Sequence, residues 1–150
     1  MVLKLTLALC LMAVCVVIHT AGVTHAMRWL RRRAQPVPSL WPGTHLLIWL
    51  AAWIILLHLV EITTWGLFYA WTGAMNGVQT ALYFSAVTYT TTGYGDLTLP
   101  EAWRLVGAVE ALTGILMCGL STGFFFAVLS RLSQAPDQSI HTSQSASEPS

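Results

Sequence analysis

The sequence predicts an all-α integral membrane protein with three transmembrane helices plus a shorter re-entrant helix and its loop. Three observations carry that expectation. The chain has 150 residues and is 55% hydrophobic but only 9% charged, against roughly 25% charge in a soluble domain. Three apolar runs reach the about 20 residues that a helix needs to cross the hydrocarbon core. A fourth run, at 78–89, is only about 18 Å long as a helix, so it reaches the middle of the bilayer and has to turn back.

Seven basic and six acidic residues cannot cover a water-facing globule, which excludes an ordinary soluble enzyme. A net charge of +1 also offers no basic face able to neutralise many phosphates, so no nucleic-acid partner is expected.

The first span covers about 3–27 and holds a single charge, Lys4. A cleavable signal peptide, with Lys4 as its basic start and a cut after Ala26, is the competing reading. Against it stand the length of the apolar run and the cluster Arg28, Arg31, Arg32 and Arg33 just beyond, since arginines there resist translocation. The same cluster orients the chain. Lys and Arg near span ends stay on the cytoplasmic side, which puts the 28–44 loop inside, the N-terminus outside and the C-terminus in the cytoplasm of a multi-pass cell-membrane protein. The four arginines also suit anionic lipid headgroups. Trp29 and Trp41 then flank the inner interface, and Trp65, Trp71 and Trp103 the outer one, as amphipathic rings prefer. Pro36, Pro38 and Pro42 make 34–42 a stiff, extended linker.

The second span, 45–70, carries His58 and Glu61, which share a helix face at a separation of three. They form either a proton-sensitive pair or a plain interhelical hydrogen bond, with His19 as a partner for either. The third span, 102–129, contains Arg104 and Glu110. Cys10, Cys15 and Cys118 all fall inside spans and read as small packing residues, not as a disulfide framework. Residues 132–150, rich in Ser and Gln, read as a disordered tail. The chain thus divides into an N-terminal transmembrane helix (1–27), a basic cytoplasmic loop (28–44), a two-span unit with the re-entrant piece (45–131) and the tail.

The re-entrant run leads into Thr90-Thr91-Thr92-Gly93-Tyr94-Gly95-Asp96. Irregular backbone at membrane depth is tolerated only where protein buries it or where it lines a watery path. Alternate glycines open backbone angles closed to other residues, so successive carbonyls can face one side and replace the hydration shell of a cation. One chain supplies one wall of such a column, and closing it takes symmetric copies. The short helix aims its C-terminal end, with the negative end of its dipole, at the same place.

TTGYGD between a half-length helix and a full span resembles the potassium channel pore family, whose filter reads TVGYG or a near variant, usually followed by Asp. The resemblance covers about 49–131. It implies a homotetrameric, passive, potassium-selective channel with a tetrameric pore, the backbone carbonyls of Thr91, Thr92, Gly93 and Tyr94 and the Thr91 hydroxyl holding potassium. Gly95 completes the filter loop and Asp96 stands at the outer mouth. Ile115, Cys118, Thr122 and Phe126 recur at three- and four-residue spacing and match the family's cavity wall. Gly114 matches its gating hinge, with close packing against the short helix as the alternative. Phe126 is the candidate for a dewetting ring, and Phe124 and Phe125 are assigned to lipid. No Lys or Arg lies between Arg104 and Arg131, so nothing in the stripe repels cations.

The chain departs from the family pattern in three places. Val87 stands where several members carry a carboxylate that tunes inactivation; Glu110, about 125° from the stripe at 100° per residue, is expected to hydrogen-bond behind the filter instead. Tyr83 and Phe84 replace a tryptophan pair that cuffs the filter, leaving one hydroxyl donor. The extra first span has no counterpart in the two-span pattern. A less selective cation channel and a non-conducting membrane adaptor are the alternatives; a transporter built on this hairpin needs four copies in one chain. No enzyme is expected, for want of a nucleophile–base pair or metal-ligand spacing, and no cofactor beyond the permeant ion. Neither an arginine-rich voltage-sensing span nor a ligand-binding domain is evident.

Overall fold

The computed structural model describes residues 1–32 and 40–134, with side chains for 1–32 and 43–130. Four α-helices and one 3-10 turn make up its regular structure: α1 (Val2–Arg32), α2 (Leu40–Trp71), α3 (Val78–Tyr89), the turn Glu101–Trp103, and α4 (Arg104–Gln134). Three of these helices, α1, α2 and α4, are long and apolar enough to cross a membrane. The chain is an all-helical protein of the membrane class, as its composition predicts.

Both ends of the first connection are more helical than hydropathy suggests. The helix α1 runs on through Arg28, Arg31 and Arg32, because arginine is a good helix former whatever its hydropathy; three of the four arginines therefore sit on a helix end and not in a loop. Arg33 lies outside the described residues. The helix α2 starts at Leu40, five residues before the expected span, with Pro42 in its first turn, where the missing N–H is no loss. The expected stiff linker is thus partly helix. At the far end α4 continues to Gln134, and the rest of the expected tail lies outside the described residues.

The short helix α3 occupies the 12 residues expected and packs between α2 and α4, while α1 lies against α4 and α2. The seam of α1 is made of Ala8, Cys15, His19 and Ala26, all fully buried or nearly so, and Gly22, whose backbone lies against Leu57. These positions recur on one helical face. Small residues let helices approach closely where no water drives them together. Leu3, Leu7, Leu9, Val14 and Val17 of α1 face outward.

Two apolar clusters fill the interior. One gathers Trp65, Tyr69, Ala81, Phe84, Tyr89, Val106 and Met117 around α3; the other joins Ala26, Leu50, Ile54, Phe124 and Val128 near the 32/40 end. Phe124 is therefore core, not lipid-facing, and Phe125 is partly buried against it. Aromatic rings lace the same end, Trp29 stacking on Trp49 at 4.4 Å and Trp49 on Trp53 at 6.0 Å. At the opposite end the Lys4 ammonium sits 4.1 Å over the Trp103 ring, which ties the start of α1 to the start of α4. Of the cysteines only Cys15 is a packing residue; Cys10 and Cys118 are exposed.

Candidate functional site

The helix α3 ends at Tyr89, and its last turn holds the loop that follows. The Thr90 amide donates to the Ala86 carbonyl at 3.2 Å, Thr91 to Thr88 at 2.9 Å and Gly93 to Val87 at 3.0 Å. The Thr90 hydroxyl bonds the Ala86 carbonyl at 2.7 Å and meets the Thr92 hydroxyl at 2.9 Å. So anchored, the backbone takes positive φ at alternate residues: 58° at Thr91, 51° at Gly93 and 78° at Gly95. Glycine adopts that region freely and a threonine does not, so Thr91 is held there by its neighbours.

At the tip of the loop Tyr83 of α3 donates its hydroxyl to Asp96 Oδ2 at 2.8 Å. That hydrogen bond holds the Tyr83 phenol above the usual tyrosine range, since losing the proton would set two anions side by side. The loop itself, from Thr91 to Asp96, is exposed.

Below the loop runs a groove of about 580 Å³. Thr90 and Thr91 close one end; Gly114, Ile115, Cys118 and Thr122 of α4 form one wall and Ile55, His58 and Ile62 of α2 the other. The structure thus brings most of the expected stripe together beneath the loop. Phe126 is 71% exposed and lies outside this lining. Gly114 packs directly on α3: a Cβ there would collide with the Tyr89 carbonyl oxygen, which favours close packing over a free hinge.

Behind α3, Glu110 is completely buried. Its Oε2 accepts from the Tyr69 hydroxyl at 2.7 Å, and its Oε1 lies 2.5 Å from Ser85 Oγ, which also reaches the Ile62 carbonyl at 2.8 Å. One carboxyl thereby joins α2, α3 and α4 on the side of α3 away from the groove.

A second polar cluster lies at the point where all four helices meet. His19 Nδ1 is 3.0 Å from Glu61 Oε1, and the Tyr89 hydroxyl donates to Glu61 Oε2. His58 Nδ1 lies 3.1 Å from the Tyr89 oxygen and 3.7 Å from Glu61 Oε2. The Nε2 atoms of His58 and His19 each lie 3.1 Å from Ser121 Oγ. The pairing of His58 with Glu61 was legible from their spacing; Tyr89 and Ser121 were not, because helical phase says nothing of interhelical register. The sequence offers no metal-ligand spacing, yet His19, His58 and Glu61 place donor atoms within 4.8 Å of one another. They come together from two different helices.

A short helix seated between two long ones, a loop with alternating backbone handedness and an apolar groove beneath it define a membrane protein built around a re-entrant loop. Residues 48–131 match the model of an ion channel family, more than half of the chain, and the chain belongs to that family. No curated protein and no solved structure matches it.

Proposed function

We propose that the chain forms a homotetrameric, potassium-selective channel that passes ions down their gradient. Carbonyl oxygens of Thr91, Thr92, Gly93 and Tyr94, with the Thr91 hydroxyl, bind dehydrated potassium. Gly95 ends the column and Asp96 stands at the outer mouth. The observation that carries this reading is the alternation of positive φ at Thr91, Gly93 and Gly95 with ordinary φ at Thr92 and Tyr94. Alternating handedness turns successive carbonyls to one side of the strand, and a row of such oxygens replaces a cation's hydration shell.

A single chain offers one wall of that column. Tyr94 is 71% exposed and Ile115 58%, surfaces that further copies around an axis would cover. The C-terminal end of α3 points at the base of the loop and adds the negative end of a helix dipole where a cation is least solvated. In this arrangement 45–131 is the conducting unit, the arginine-bearing end of α1 faces the cytoplasm beside anionic lipid, and the N-terminus is outside.

Flux from proteoliposomes tests the proposal. Potassium and rubidium are expected to pass and sodium to be strongly excluded. Comparable sodium flux would identify a less selective cation channel, and absence of flux for all three ions a non-conducting adaptor.

A further inference from the structure

We propose that His19, His58 and Glu61, with the Tyr89 hydroxyl as fourth donor, form a binding site for a zinc-class divalent ion that fastens α1 to α2 and α3. The donor chemistry selects the class. Two imidazole nitrogens and a carboxylate oxygen suit zinc and its neighbours, whereas magnesium and calcium take all-oxygen shells.

The spacing fits as well. A tetrahedral ion with bonds of about 2.0–2.2 Å holds its ligand atoms roughly 3.3–3.6 Å apart. The separations here are 3.0 Å for His19 Nδ1 to Glu61 Oε1, 3.1 Å for His58 Nδ1 to the Tyr89 oxygen and 3.7 Å for His58 Nδ1 to Glu61 Oε2. These three contacts straddle the expected edge, the two to Glu61 using one carboxylate oxygen each, and the ligand atoms of His19, His58 and Glu61 all lie within 4.8 Å of one another. An ion draws them together and takes the place of the bond from the Tyr89 hydroxyl to Glu61.

Ser121 supplies the outer support. Its oxygen has two lone pairs and lies 3.1 Å from Nε2 of both rings. With an ion bound it can accept an N–H from each, so that each ring carries its single proton on Nε2 and offers its Nδ1 lone pair to the ion. Metal-ligating histidines are held by outer hydrogen bonds of this kind. Charge agrees: Glu61 is completely buried, and an ionised carboxylate in that position calls for a cation beside it. Access is open from the groove, where His58 is 21% exposed and lies with Tyr89 along the lining. Because Tyr89 leads straight into the 90–96 loop, an ion bound here fixes the base of that loop along with α1.

The test is a binding measurement, independent of ion conduction. The purified full-length chain in lipid nanodiscs, stripped with a chelator, is titrated with Co2+ as the optical probe and Zn2+ as competitor. Saturable uptake of one Co2+ per chain with four-coordinate visible bands, displaced by Zn2+, is expected. His19→Gln and Glu61→Gln should weaken it roughly tenfold or more, while His25→Gln and Cys10→Ser leave it unchanged. His19→Cys keeps a ligand and should add a near-ultraviolet thiolate-to-cobalt band, which decides the matter if His19→Gln does not fold. Lack of saturable binding in the parent, binding undiminished in both Gln variants, or no thiolate band in His19→Cys overturns the site and leaves a hydrogen-bonded cluster alone.

Discussion

Glu110, completely buried, has two hydroxyl groups from different helices within reach. Tyr69 donates to one carboxyl oxygen and Ser85 lies against the other, so the side chain is defined by what it satisfies more than by its charge. Gln keeps an acceptor for Tyr69 and an amide donor for Ser85, whose hydroxyl then bonds Ile62. Glu110→Gln is accordingly expected to retain fold and stability. Glu110→Ala strands the Tyr69 and Ser85 hydroxyls and should cost about 1–2 kcal/mol, read as a lowered unfolding midpoint in detergent. That Glu110 turns away from the groove was legible from its helical phase. Its partners were not, since nothing in the chain's local pattern sets α2 and α3 in register with α4. Tyr83 allows a sharper test. Its bond to Asp96 holds the phenol protonated above the usual tyrosine range, so the contact is present at neutral pH and is lost only as pH rises through that raised value. Tyr83→Phe lacks it at every pH. If the bond steadies the loop, flux through Tyr83→Phe should decay at neutral pH as the parent's does only in alkali; identical decay of the two at neutral pH would show that Asp96 needs no such support.

Among the elements, α1 depends most on packing detail. Its seam is built from small side chains, and at Gly22 the Trp53 indole donates to the main-chain carbonyl at 3.1 Å while an added Cβ would run into Leu57. Gly22→Val forces a branched side chain into that contact and should loosen α1 by about 1–3 kcal/mol. Cys15 reports it directly, being completely buried. In a Cys10→Ser, Cys118→Ser background a membrane-permeant maleimide should label Cys15 slowly, and markedly faster once Gly22→Val is added. Unchanged labelling would mean that α1 is held chiefly at its ends, by Lys4 on Trp103 and by the stacked tryptophans. Hydropathy located all the long helices, and the bounds of α3 fell at 78–89 as read, because an apolar run between Gly77 and a polar threonine run has sharp edges. It misplaced the ends of α1 and α2, where Arg31 and Trp41 are polar or amphipathic yet helical. The sequence offers His19 as a partner for His58 or Glu61, and its Nδ1 lies 3.0 Å from Glu61; that Ser121 of α4 would meet both rings was not legible, since helical phase shows a residue's face and not what lies across from it.

For the molecule as a whole, the unusual surface is the loop at its exposed end. A threonine and two glycines hold left-handed backbone there, and in one chain nothing covers Tyr94. Strain of this kind persists only when its surroundings fix it, and symmetric copies would supply the missing surroundings. Gly93 separates assembly from conduction. No atom lies within 4 Å of a Cβ built there, so Gly93→Ala meets no collision, but at φ 51° it carries the left-handed penalty of about 1–2 kcal/mol, repeated in every copy. Relieving that strain turns the following carbonyl out of the row. Gly119, equally open but with ordinary helical φ, is the matched control, where alanine should if anything favour the helix. Native mass spectrometry is expected to give a tetramer for the parent and for both variants. Flux is expected to divide them: Gly119→Ala keeps preference for potassium over sodium, while Gly93→Ala loses the preference or the current altogether. A Gly93→Ala tetramer that still selects potassium would mean that the backbone alternation does not set the ion sites, and the potassium reading would fall even though the assembly stood.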